Sequence, residues 1–300
     1  MDDGYRHTEC LKQNPTSQSD DDVKKGVANM DKREFLPVKS DIIFRLFFAD
    51  ERNENFLICF LRSVLRLPDD DYNEIEIADP HLLREFEDDK LAIIDVKLYT
   101  KTRKVIHIEI QLKVTRELKH RIVLYDAKMI TEQIGTGQGY DDIQKVVSII
   151  ITDEELIPAS RRYHHRFTFF DPEAGVEFSD IIEIHTLELK KLPEATDGTE
   201  LYDWAKFIAS ESEEELDQAA EKNQEVKKAV IKFRELTADE HTRNLYERRE
   251  KARRDIASMM REQKFEIAEN LLGMNLPLDQ IVTATGLTRA EVENLRTTTT

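Results

Sequence analysis

Cysteine, glycine and long apolar runs are all scarce in this chain of 300 residues. The two cysteines, Cys10 and Cys59, are too few for a zinc-binding pattern or a disulfide framework, which points to a reducing, cytoplasmic setting. Cys59 lies within an apolar helical run and reads as a buried thiol, whereas Cys10 lies in a polar tail. Nine glycines in the whole chain argue for helices over a turn-rich architecture. No apolar run approaches the roughly 20 residues that a membrane helix needs, so no membrane partner is expected. Residues 1–33 are polar, carry the cluster Asp20-Asp21-Asp22 and contain no apolar signal segment. They read as a disordered tail.

What is abundant is charge. Hydrophobic residues at 40% suffice for a core, and charged residues at 35% cover a helix-rich surface, with room for one large domain or a domain with an appendage. A net charge of −17 sits poorly with nucleic acid, because phosphate attraction dominates that affinity. The charge is uneven, however. Lys97, Lys101, Arg103, Lys104, Lys113, Arg116, Lys119, Arg121 and Lys128 crowd one segment against only Glu109, Glu117 and Asp126. The acid collects instead around Glu211, Glu213, Glu214, Glu215 and Asp217.

The basic segment includes the stretch from Leu91 to Lys113, which reads as a β-hairpin: two runs rich in Ile and Val flank the polar segment Thr100–Lys104. Symmetry about Thr102 sets Asp95 opposite Glu109, Lys97 opposite His107 and Tyr99 opposite Val105. One face is then hydrocarbon, from Val96 and Leu98 to Ile106, Ile108 and Ile110. The other gathers Asp95, Lys97, Tyr99, His107, Glu109, Gln111 and Lys113. Carboxylates roughly 5 Å apart at Cβ repel one another unless a cation lies between them. A divalent metal is the sharp reading; a solvated face of a half-exposed hairpin is the bland one.

Around this hairpin the remaining elements fall into order. Ser40 is placed to cap a helix from Asp41, and Asn55–Leu67 forms a second amphipathic helix ended by Pro68. A short strand is expected near Glu74–Ala78 or Leu82–Glu87. Arg116–Gln138 reads as a helix, Lys145–Thr152 as a central buried strand, and Arg166–Asp171 and Phe178–Leu189 as further strands. A helix between strands of one sheet implies a crossover, hence a mixed sheet. The pair His164-His165 is assigned to a basic surface loop. From Thr199 the chain is helical and charged, with Trp204, Phe207, Ile208, Val226, Val230 and Phe233 on its buried side. Residues 196–264 read as a charged helical arm and 265–296 as a small tail resembling a helix-turn-helix about Thr285-Gly286-Leu287. These C-terminal helices offer a surface for homo-oligomerisation. Glu291 and Glu293 are poor residues to turn toward phosphate.

Ser40-Asp41-Ile42-Ile43-Phe44-Arg45-Leu46-Phe47, Asp79-Pro80, Ile94-Asp95-Val96-Lys97, Ile108-Glu109-Ile110-Gln111, Arg121 with Tyr125, and Gly139-Tyr140 before Val146-Val147-Ser148-Ile149 occur in an order that resembles the PD-(D/E)XK nuclease family transposases, the Rpn-type recombination-promoting nucleases. The resemblance spans about residues 35–195. It implies an α/β fold with a restriction-endonuclease-like core, a mixed β-sheet flanked by helices, here in a domain at 34–195 followed by the helical C-terminal extension. It also implies Mg²⁺-dependent hydrolysis of DNA, with Mn²⁺ as the alternative ion, leaving 5′-phosphate and 3′-hydroxyl ends.

On this reading Asp95, Glu109 and the backbone carbonyl of Ile110 hold the metal, with Asp41 as an additional candidate ligand. Gln111 orients water or a phosphate oxygen, and Arg121, Tyr125, Lys97 and Lys113 are candidate DNA contacts. Two departures stand out: Ile94 precedes the Asp where Pro is frequent, and Gln111 replaces the usual Lys. Gln lacks that cation, which leaves open a catalytically silent DNA-binding or regulatory relative. For Arg121 and Tyr125 an ion pair and a core tyrosine are equally open. An interaction module built on the acidic helices explains the net charge but not the Asp95/Glu109 pairing.

Overall fold

In the computed structural model the described residues are 34–65, 67–72, 74–78, 96–135, 137 and 139–298. Helices α1 (Asp41–Phe48) and α2 (Glu54–Val64) come first, followed by strand β1 (Ile75–Ile77). The hairpin strands β2 (Val96–Thr100) and β3 (Val105–Gln111) lead into helix α3 (Leu118–Thr131) and strand β4 (Val146–Thr152). Strands β5 (His164–Asp171) and β6 (Val176–Glu188) complete the sheet, and helices α4 (Glu200–Ala209), α5 (Glu213–Ala219) and α6 (Gln224–Ala238) follow.

The six strands lie in the order β1-β2-β3-β4-β6-β5. The β1-β2-β3 side is antiparallel, β3, β4 and β6 run parallel, and β5 returns antiparallel at the edge. This is the mixed sheet expected from the restriction-endonuclease-like reading. The hairpin has the expected register, with Lys97 opposite His107 and Tyr99 opposite Val105. Its turn is closed by Arg103 N donating to Thr100 O, with Arg103 itself at φ 64°. Leu91 to Asp95, and the alternative strand at Leu82–Glu87, lie outside the described residues.

Partners in register share a face, so Val105, His107, Glu109 and Gln111 stand beside Val146, Ser148, Ile150 and Thr152. Helix α3 covers this face: Tyr125 and Met129 pack on Val105 and Val146, and Leu118 and Ile122 pack on Ile150 and Leu156. The opposite face presents Ile106, Ile108, Val147, Ile149 and Ile151, all fully buried. There α1 packs against β3. Its Phe47 centres an aromatic cluster with Phe48, Phe56, Phe207 and Phe233 at ring-centroid distances of 5.0–6.0 Å. Trp204 closes the cluster against Phe48, Phe60 and Phe207.

Several boundaries differ from the sequence reading. The second helix runs from Glu54 to Val64 and not from Asn55 to Leu67, and α3 is shorter than Arg116–Gln138 because the chain turns away after Thr131. Ser40 stands at the N-cap of α1, but its side chain makes no capping bond. His164 and His165 belong to β5 and not to a loop: alternation turns His164 to His185 and His165 toward Glu188. Cys59 is buried, as its apolar setting suggested.

The chain divides into two compact units between Asp239 and Glu240. The apolar faces of α4 and α6 fill the aromatic core of the first unit. The second unit contains helices α7 (Glu240–Gly273), α8 (Leu278–Thr285) and α9 (Arg289–Thr298). Ala268, Ile281, Leu287 and Val292 form its core. Gly286, at φ 67°, makes the left-handed turn between α8 and α9. Glu291 is tied to Arg261 and Thr288, and Glu293 to Arg289. Among the described residues no helix is long and apolar enough to cross a membrane.

Candidate active site at the end of the central hairpin

Strand alternation delivers His107, Glu109 and Gln111 to one face, and the docking of α3 on that face brings Arg121 over them. The bland reading required this face to be wet. At its centre it is not: Glu109 is 4% exposed and His107 0%. The Nη2 nitrogen of Arg121 donates to Glu109 Oε1 at 2.6 Å and to Gln111 Oε1 at 2.7 Å. The two oxygens thus converge on a single cationic nitrogen. Burial raises the pKa of the Glu109 carboxyl, and the neighbouring Arg121 opposes that rise.

Behind Glu109 lies a polar chain that the sequence did not suggest. Ser148 donates its hydroxyl proton to Asp126 Oδ1 on α3, and His107 Nδ1 lies 3.3 Å from Ser148 Oγ. His107 Nε2 is 3.9 Å from Glu109 Oε2. Burial, together with the charges of Lys97 and Arg121, lowers the His107 pKa to about 3 and keeps the ring neutral. Burial pushes the Asp126 carboxyl up to about 6; Ser148 opposes that shift and the Glu109 charge adds to it. One signal was available in advance: Ser148 is the single polar residue in the otherwise apolar run Val146–Ile151.

The Asp126 shift has a measurable consequence. A carboxyl whose pKa is higher folded than unfolded favours folding below its unfolded value, near 4, and loses that contribution as pH rises through about 6. Between pH 4 and pH 7 the unfolding free energy of the wild type should therefore fall relative to that of Asp126→Asn by ~2–3 kcal/mol. Urea titrations of both proteins across this range measure it. A difference independent of pH would show that Asp126 ionises normally.

The other expected site residues are distributed as follows. Asp95 lies outside the described residues. Ile110 is buried in β3, and Asp41 sits in the first turn of α1, where its Oδ1 accepts from Ile42 N. Lys97 is largely buried and pairs with Glu132 at 3.5 Å, and Tyr125 is buried against Val105 and Met129. Arg121 holds the ion pair with Glu109, while Lys113 is exposed. Among the described residues no group of three or more His, Cys, Asp or Glu side chains is assembled to hold a metal ion. The donors that are present nevertheless suit one. Glu109 Oε2 is buried without a hydrogen-bond partner among the described residues. An open carboxylate oxygen of this kind fits a hard divalent cation.

Residues 38–263 match the family model described as PD-(D/E)XK nuclease family transposase. No curated protein and no solved structure matches the chain.

Proposed function

The chain belongs to the PD-(D/E)XK nuclease family transposases, and we propose that it is a divalent-metal-dependent DNA endonuclease whose centre is Glu109. The observation that carries this reading is the buried Glu109 carboxylate, held by Arg121 through one oxygen and without a hydrogen-bond partner among the described residues at the other. An unpaired buried carboxylate oxygen costs folding free energy, and proteins retain such costs mainly at functional sites. In this reading Asp95, Glu109 and the Ile110 carbonyl hold the cation, and Asp41 is an outer candidate. A divalent cation held there supplies Lewis acidity toward the phosphate and acidifies a water.

This chain's own residues do the rest. Glu109 contributes charge in a site from which water is largely excluded, where electrostatic interactions are strong. Arg121 fixes the carboxylate and the Gln111 amide in one geometry, so neither must reorganise during reaction. Gln111, with its oxygen held by Arg121, keeps its amide N–H₂ as the donor that orients a water or a phosphate oxygen in this reading. Lys113, exposed beyond the strand end, is the contact to the DNA backbone in this reading. DNA is the substrate class in keeping with the family.

A second reading is favoured by one specific observation: Arg121 already neutralises Glu109, which suits a metal-free, silent DNA-binding scaffold. Substitutions at Gln111 separate the two. In an active site, Gln111→Ala should lower plasmid nicking in Mg²⁺ by ~10²-fold, as removal of one positioned donor does. Gln111→Lys should retain measurable cleavage, and Asp95→Ala should fall below both. If the wild type leaves plasmid intact while Asp95→Ala binds duplex as well as the wild type does, the scaffold reading holds.

A further inference from the structure

We propose that His107 Nε2 is a ligand of the same cation as Glu109 Oε2, so that the site takes a transition-metal ion such as Mn²⁺ in preference to Mg²⁺. The proposal rests on the reading that Glu109 holds a metal, and adds a nitrogen to a donor set otherwise made of oxygen.

The orientation of His107 follows from proton counting. A serine hydroxyl has one proton, and that of Ser148 goes to Asp126. Ser148 Oγ therefore offers only lone pairs to His107 Nδ1, so Nδ1 carries the ring proton and donates across the 3.3 Å contact. That leaves Nε2 as a bare lone pair, buried and without a hydrogen-bond partner among the described residues. It faces Glu109 Oε2, which is equally buried and equally unpartnered. Arg121 occupies the other Glu109 oxygen, so the oxygen left open is the one on the His107 side.

Two electron-rich atoms facing one another in a dry interior repel unless something positive joins them. Their separation of 3.9 Å decides what that is. It exceeds the ~3.2 Å limit of a direct hydrogen bond, so a shared proton does not span it. It lies within the ~4.2 Å reach of two metal–ligand bonds of ~2.1 Å. The Asp126–Ser148–His107 chain also matches what metal-bound imidazoles receive: the second ring nitrogen donates to an acceptor that fixes tautomer and ring orientation. Imidazole nitrogen binds first-row transition ions well, whereas Mg²⁺ keeps to oxygen and water.

The test uses the full chain loaded with Mn²⁺ and read by pulsed electron paramagnetic resonance. The expected result is ¹⁴N modulation from a directly bound imidazole, replaced by the ¹⁵N pattern in protein labelled at histidine. It should vanish in His107→Gln, and also in Glu109→Gln, which preserves the Arg121 contact should the His107 variant fold poorly. Calorimetry should show Mn²⁺ bound at least ~10-fold more tightly than Mg²⁺, with the gap closing in His107→Gln. Absence of nitrogen modulation, its persistence in a folded His107→Gln, or failure to bind Mn²⁺ overturns the proposal. Plasmid nicking in Mg²⁺ without nitrogen coupling would sink this inference and spare the nuclease reading. Nitrogen coupling without nicking in any metal would do the reverse.

Discussion

Glu109→Gln should reduce metal-dependent nicking of supercoiled plasmid by ~10³-fold or more, the largest functional effect expected of any single conservative change here. The substitution removes the one formal charge that Glu109 offers a cation, and in a dry site that charge is not replaced by solvent. It should leave the fold intact. The glutamine carbonyl still accepts from Arg121 Nη2, and burial, which already raises the Glu109 pKa, penalises an amide less than a carboxylate. Thermal melting and nicking rate measured on the same preparation separate the two effects. An unchanged rate with an unchanged melting temperature would remove Glu109 from the chemistry.

Phe47→Ala should destabilise the first unit by ~4 kcal/mol, the range found when a fully buried phenylalanine is truncated. Phe47 is fully buried, and its ring meets Phe48 and Phe56 from the N-terminal helices together with Phe207 and Phe233 from α4 and α6. The cavity left behind has walls on four helices, which relax poorly as a group. Urea unfolding followed by the fluorescence of Trp204, the only tryptophan, reports on this cluster directly. A loss under ~1 kcal/mol would mean that α4 and α6 do not share a core with α1.

The hairpin was legible because two local signals agreed. Period-two alternation divided Val96, Leu98, Ile106 and Ile108 from Lys97, Tyr99, His107 and Glu109, and the polar turn about Thr102 fixed the register. The central strand Val146–Thr152 was legible from an apolar run interrupted only by Ser148 before Thr152. What lies over the charged face was not. The covering of His107 and Glu109 by α3 is a tertiary fact, with no period in the strand to encode it, so Asp126 and Ser148 went unsuspected. The same limit applies to α4 and α6. Trp204, Phe207 and Phe233 announced an apolar face, but amphipathicity does not say which core that face joins. His164 and His165 were misplaced in a loop because their flanking arginines disguise the start of β5.

The measurement that bears most directly on the central claim is conversion of supercoiled plasmid by the purified wild-type chain, with Mn²⁺, with Mg²⁺ and with chelator. The predicted result is nicked product in the presence of either ion, with 5′-phosphate ends that DNA ligase can reseal, and none with chelator. Intact plasmid under all three conditions, from folded protein that still binds duplex, would contradict a nuclease centred on Glu109.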